Sequence, residues 1–361
     1  MITFLVWTVI ILGIIAVSRL VRIYELASSL RGGQPQWEVT EKDNRSNALM
    51  MIIFAASFFA FSIWLFFEYK DRLLPIAASK HGAEIDWLFN FNMVIIGIVF
   101  FITNSCLFYF SYKYYAGKNN QKATFFPESH KLELIWTVVP GVALTIIIFL
   151  GIKLWNDITS VPGDEIDKVV IELYAKQFDW TARYAGKDNE LGRRNFKLIT
   201  DTNPMGLDVT DKKGDDDIVV RNEFHIPKGK LVYFKMGSRD VIHSAYMPHF
   251  RAQMNCVPGM TTMFHYIPTV TTAEMRRNPQ VVKNMEEVNA ILSKKGEEPM
   301  EFNYLLLCNK ICGVSHYNMQ MNIIVDEPAE YEAWLQKQKT VGSIASNEVK
   351  TETSKIVAQN K

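Results

Sequence analysis

The segment "CNKICGVSHYNM" concentrates soft ligand chemistry, with Cys308, Cys312, His316 and Met319 spaced as C-x-x-x-C-x-x-x-H-x-x-M. Thiolate, imidazole and thioether together form the donor set favoured by copper. Zinc accepts Cys and His equally well but gains nothing from a Met. A competing reading is that the cysteine pair oxidises to a disulfide in an extracytoplasmic setting. A second imidazole should arrive from another strand end. His81 and His130 lie in or beside an apolar half of the chain, leaving His225, His243, His249 and His265. Periodicity does not choose among these four.

Holding such a loop requires a rigid scaffold, and the chain divides into two unlike halves. Four apolar runs occupy the first, at 1–18, 48–67, 87–110 and 135–155. Each approaches or exceeds the roughly 18–20 residues that span a hydrocarbon core as a helix. The reading is four transmembrane helices within a membrane domain, 1–160. Ala16 and Ser18 would suit a cleaved signal peptide. However, no basic residue precedes the first run, and Arg19 and Arg22 follow it, the reverse of a secretory signal. The run is therefore read as retained. The flanks 19–47 and 111–134 are rich in Lys and Arg, whereas Lys70, Arg72 and Lys80 between them are offset by Glu68, Asp71, Glu84 and Asp86. The richer flanks belong inside, so both termini lie outside. In a bacterium this is the cytoplasmic (inner) membrane, with the C-terminal domain in the periplasm.

Residues 161–338 read as an all-β sandwich or barrel. Short runs such as "KVVIELYAKQFDW", "RNFKLIT", "DIVVRNEFHIP", "KLVYFKM", "TTMFHYIP", "EFNYLLL" and "MNIIVDEP" are separated by Gly and Pro breaks. Roughly 170 residues suffice for one core. The polar stretch 201–217 reads as a long exposed loop, 271–299 as a helical insertion, and "EYEAWLQKQK" as a closing amphipathic helix. The polar tail, 339–361, is expected to be disordered. With 39 Lys+Arg against 38 Asp+Glu, charge gives no argument for a nucleic-acid partner.

"CNKICGVSHYNM" resembles the binuclear copper (CuA) loop of subunit II of haem-copper cytochrome c oxidases. "RDVIHSAYMPHF" is similar to that family's stretch carrying the first His, "SHKLELIWTVVPG" to the start of its last transmembrane helix, "KQFDW" to its first-strand aromatics and "NCVPGM" to its Val-Pro-Gly turn. The resemblance implies an α-helical transmembrane bundle followed by a cupredoxin-like domain. It also implies two copper ions bridged by Cys308 and Cys312 and capped by His243 and His316. Met319 would be a weak ligand and the Lys310 backbone carbonyl the sixth, with Met321 a runner-up out of register.

The function implied is the electron-accepting subunit of a proton-pumping terminal oxidase. Electrons would come from a cytochrome c or a cytochrome-bearing complex. They would pass to haem on a separate catalytic subunit I, where oxygen is reduced. There is no C-x-x-C-H, so no covalent haem is expected on this chain. Alternatives are a quinol-oxidase-like subunit, which shares the fold without the ligands, and a membrane-anchored copper carrier.

Further roles follow from the resemblance alone. Glu133 matches a residue at the mouth of a proton channel. Phe178 stands where the family has the Trp that receives electrons, with Trp180 two residues on. Four spans instead of two, and the insertion, depart from the pattern. Lys310 replaces a Glu whose carboxylate binds magnesium, and Asn255 replaces an Asp nearby. An ammonium cannot ligate a hard cation, so Lys310 is read as standing in for the magnesium; the alternative is that Lys310 points to solvent and other residues bind the ion.

Overall fold

Long apolar stretches must form helices in a bilayer, because no water is available there to satisfy backbone N–H and C=O groups. The computed structural model describes residues 2–30, 40–116 and 125–344, although several side chains of the first helix are not described. Its helices are α1 (Ile2–Leu30), α2 (Glu41–Tyr69), α3 (Lys80–Lys113) and α4 (His130–Thr159). Thr40 and Asp43 start α2 by exchanging hydrogen bonds, each side chain accepting from the other's backbone N–H.

Three stretches among the described residues are long and apolar enough to cross a membrane: Glu41–Arg72, Lys80–Lys113 and His130–Thr159. The shortest has 30 residues and reaches about 45 Å at 1.5 Å per residue. The expectation of a fourth span falls on α1, whose side chains at 2–6, 8 and 10 lie outside the described residues.

The chain forms two compact units, Met1–Glu68 with Ile96–Ser129, and Tyr69–Ile95 with His130–Lys361. In the first, Phe58 and Phe59 of α2 pack on Phe100 and Phe101 of α3, with centroids 5.2–6.2 Å apart. Phe108 lies 5.8 Å from Phe54. Such shape-fitted contacts hold helices together in lipid, where apolar burial alone gives no drive.

The second unit carries a β domain. Its elements are β1 (Lys168–Lys176), β2 (Asp179–Tyr184), β3 (Ile218–Val220), β4 (Glu223–Pro227), β5 (Leu231–Ser238), β6 (His243–Met247), β7 (Ala252–Cys256) and β8 (Thr262–Tyr266). After these come α5 (Thr272–Arg276), α6 (Pro279–Lys295), β9 (Tyr304–Cys308), β10 (Gln320–Asp326) and α7 (Pro328–Leu335). The strands form two five-stranded sheets, ordered β3-β2-β1-β5-β8 and β4-β10-β9-β6-β7. The β1–β5 and β4–β10 pairs are parallel, and the other strand pairs are antiparallel. Between the sheets, Ile171, Leu173, Trp180, Phe224, Phe234, Phe250, Tyr266 and Tyr304 are fully buried.

Alternation fails on β1, which is buried on both faces along seven consecutive residues. Its second face is covered by the excursion leading to β3. There the Arg183 guanidinium bonds both Glu172 and Asp217, and Arg194 donates to Glu172 at 2.6 Å. The stretch expected to be a long exposed loop is thus partly buried, at Met205 and Asp217. Burial pushes the Asp217 carboxyl up to about 6, although Arg183 opposes the shift.

Other expectations also change. "RNFKLIT" is no strand: Asn195 caps a 3₁₀ turn at Phe196–Leu198, and Phe196 stays exposed. "DIVVRNEFHIP" is split between the two sheets, with Asn222 at φ 73° as the break. The insertion is two helices, because Asn278 caps α6 and Pro279 opens it. At the C-terminal end, the backbone N–H groups of Val341 and Gly342 donate to Asp217 and Asp215. The disorder expected farther on concerns 345–361, outside the described residues.

The α2–α3 connection is strapped to the β domain. Ala78 N–H donates to the His249 carbonyl at 2.7 Å, Lys80 N–H to Ile267 at 3.0 Å and Ser79 Oγ to Phe250 at 2.8 Å. Arg251 grips Asp86 with two bonds of 2.7 and 2.9 Å. The connection therefore lies on the same side of the membrane as the β domain. This agrees with the orientation read from the basic residues.

Candidate metal centre

β6 and β9 are neighbours with Ala245 opposite Cys308, which brings His243 at the start of β6 to the end of β9. The chain then leaves β9 at Cys308, loops through 309–319 and re-enters the sheet as β10. Two backbone bonds close this loop, from Cys308 N–H to Met319 O at 3.1 Å and from Asn309 N–H to Ser244 O at 3.0 Å. Gly313 takes φ 141° immediately after Cys312, a conformation that favours glycine.

The sulfurs of Cys308 and Cys312 lie 3.9 Å apart. That is far beyond a disulfide bond of about 2.05 Å, so the cysteines are free. Outward from this pair, His243 Nδ1 is 3.7 Å from the Cys308 sulfur and His316 Nδ1 is 3.5 Å from the Cys312 sulfur. The Lys310 carbonyl oxygen is 3.2 Å from Cys308 Sγ, and Met319 Sδ is 3.8 Å from Cys312 Sγ. One donor atom from each of His243, Cys308 and Cys312 falls within a 4.8 Å cluster. The six donors read from the sequence are thus all brought together. Met321 instead faces the core, nearly fully buried.

The donors fit a thiolate-bound metal. Metal–thiolate bonds are about 2.3 Å, so one ion can reach both sulfurs across 3.9 Å. Without a cation, burial and the neighbouring Cys308 push the Cys312 thiol up to about 11. Two adjacent buried thiolates need positive charge between them. Soft sulfur flanked by imidazole and thioether selects copper.

A supporting layer was missed in the sequence. Asp240 Oδ1 accepts from His243 Nε2 at 2.8 Å, leaving Nδ1 free to ligate. Asp240 also accepts from the N–H of Gln177 at 2.8 Å and of Val241 at 2.7 Å. Burial raises the Asp240 pKa, but these hydrogen bonds outweigh it and hold the carboxyl below its usual range. The signal was present, as a carboxylate three residues before the His in "RDVIH". Gln177 Nε2 also donates to the Cys312 carbonyl, tying β1's end to the loop.

The other histidines of the β domain have different surroundings. His225 pairs with Asp326 and stacks on Trp334 at 4.2 Å. His249 sits against Phe302 and Tyr304, its pKa pushed down to about 4 by burial and by Arg251. Burial also lowers His265. The Cys256 thiol, opposite His243 across β6 and β7, is fully buried and pushed up to about 12. Burial is the main cause.

Residues 69–154 match the family model for the transmembrane domain of cytochrome c oxidase subunit II. The alternative cytochrome c oxidase subunit 2 of Bradyrhizobium diazoefficiens is 31% identical over 298 residues, spanning 82% of this chain and 92% of that protein. This chain belongs to the cytochrome c oxidase subunit 2 family. A subunit 2 from Thermostichus vulcanus is 23% identical over 78% of this chain and 83% of its own length. The solved periplasmic domain of cytochrome oxidase subunit II of Bradyrhizobium japonicum aligns with 49% of this chain and 94% of that domain. Its identity is 18% and its TM-score 0.29, and the family assignment does not rest on it.

The protein is thus a membrane-embedded oxidase subunit, with apolar helices preceding a β-rich domain and a cluster fit for copper. Its other expected site residues are placed as follows. Phe178 is half-buried, its ring against Gly313. Trp180 is fully buried, 6.3 Å from the His243 ring. Glu133 is exposed near the start of α4, 3.4 Å from His130. The Lys310 and Asn255 side chains are both exposed in this chain.

Proposed function

We propose that this subunit accepts electrons from a cytochrome c, or from a cytochrome held in a complex, and delivers them to haem on the oxidase's catalytic subunit. The observation that carries this reading is the pair of free thiols 3.9 Å apart with an imidazole nitrogen beside each. Cys308, Cys312, His243, His316, Met319 and the Lys310 carbonyl would hold two coppers. Bound there, the pair supplies a one-electron store shared between metals.

The chain's own contribution is rigidity and dryness. His243 is fully buried, Met319 is 1% exposed and Cys312 5%, so little water remains to reorganise when charge changes. Asp240 fixes the His243 ring, and the strap from Gln177 fixes the loop. Phe178, half-exposed over that loop, is the surface residue proposed for electron uptake, with Trp180 behind it beside His243. Glu133 would load protons from the inner face. The Lys310 ammonium would stand in for a magnesium ion. The membrane would be the bacterial inner membrane, crossed four times, with the β domain in the periplasm.

Copper loading of the purified full-length protein tests the reading. Two coppers per chain and a mixed-valence EPR signal are expected. Cys308→Ser and Cys312→Ser should each abolish that signal by removing one bridge. Binding of a single zinc, with no copper spectrum, would overturn it.

A further inference from the structure

At the end of α4 nearer the β domain, an apolar groove of about 340 Å³ runs between α4 and the first turns of α3. Trp87, Leu88 and Leu150 line it together with three charged residues, Glu84, Lys153 and Asp157. None of the three has an ion-pair partner among the described residues. In the adjoining cleft Lys228 bonds Glu274 and Glu327 and Lys230 bonds Asp167, while His265, which faces Asp157, is held toward its neutral form by burial. Lys153 is the only charge in the apolar run 135–155. It lies about 27 Å along the helix from Ile135 at 1.5 Å per residue, near the edge of a hydrocarbon core about 30 Å thick. Exposed Trp87 and Trp155 mark the same level, as interfacial tryptophans do.

We infer that this groove binds one zwitterionic aminophospholipid, a phosphatidylethanolamine, with its phosphate on Lys153 and its ammonium between Glu84 and Asp157. The charge pattern decides among lipids. An anionic headgroup would put its phosphate beside two carboxylates with no cation of its own to offset them. A choline headgroup carries positive charge but no N–H to donate to a carboxylate. An ethanolamine offers both the phosphate for a lysine and three donors for the acids, while an acyl chain follows Leu88 and Leu150 downward. Asp157 also borders a wider, open cleft of about 890 Å³ at the base of the β domain, lined as well by Asp167, Lys228 and Lys230, which gives the headgroup a wet side.

The test is native mass spectrometry of the full-length protein released from nanodiscs of phosphatidylethanolamine, phosphatidylglycerol or phosphatidylcholine. The wild type should retain one phosphatidylethanolamine under conditions that strip the other two. Lys153→Gln should weaken retention about tenfold, the loss of one charge-assisted hydrogen bond, and Lys153→Arg should preserve it. The double variant Glu84→Gln with Asp157→Asn should keep a lipid but shift its preference toward phosphatidylglycerol. Equal retention of all three lipids by the wild type would overturn the assignment. So would unchanged retention in Lys153→Gln, or a photo-crosslinker at position 154 that captures protein and no lipid in the assembled oxidase.

Discussion

Gly313→Ala tests how tightly the metal loop is held. Two costs can be separated. At φ 141° a residue with a side chain carries backbone strain of about 1–3 kcal/mol. The added Cβ would also lie 2.7 Å from Phe178 Cζ, 2.8 Å from Cε1 and 2.9 Å from Gln177 Nε2. These are well inside an ordinary carbon contact of about 3.5–4.0 Å. Overpacking costs about 1–3 kcal/mol, but the half-exposed ring of Phe178 can swing outward, which favours the lower end. The expected total is therefore about 2–4 kcal/mol. At roughly 2–4 °C per kcal/mol for a domain of this size, the midpoint should fall by about 4–16 °C.

The assay is thermal loss of the thiolate–copper absorption of the copper-loaded full-length protein, repeated in a Phe178→Ala background. Removing the ring relieves most of the clash and leaves the φ strain. The cost of Gly313→Ala should then shrink by about 1 kcal/mol without vanishing. An unchanged midpoint in the single variant would refute the strain argument. The same cost in both backgrounds would refute the contact with Phe178.

Asp240→Ala should weaken copper binding about 10–100-fold through the unanchored His243 ring, and a competitive chelator titration matching wild type would reject that role. Glu133→Ala should slow turnover of the assembled oxidase while leaving the copper spectrum unchanged; normal turnover would remove Glu133 from proton uptake. Because the folded-state pKa of Asp217 is raised to about 6, the fold favours its neutral form. Stability relative to Asp217→Asn should therefore fall as pH rises from about 4 to 6 and level off above. Parallel stability curves for the two proteins would show that Asp217 does not titrate in that window.

Some features were legible because they are local in the chain. Apolar length alone marked α2, α3 and α4, since a bilayer admits few alternatives to a long helix. The candidate loop ligands Cys308, Cys312, His316 and Met319 could be read together because they share one short segment. "RNFKLIT" was misread because its strand-like composition carries no information about burial. In the structure Phe196 is exposed, and the Asn195 cap prevails over β propensity.

The sequence by itself determined the chemistry of the metal loop, the membrane character of its first half and, through its motifs, the family. Tertiary structure decided which distant residues complete the site. Four histidines were open by spacing; the resemblance of "RDVIHSAYMPHF" pointed to His243, and it is the β6–β9 register that brings His243 to the thiols. Gln177 and Arg251 acquire their roles in the same way, through partners 135 and 165 positions away. Ligand type is a property of a residue. Ligand geometry depends on which strands become neighbours, and that is settled by burying both sheets around one core.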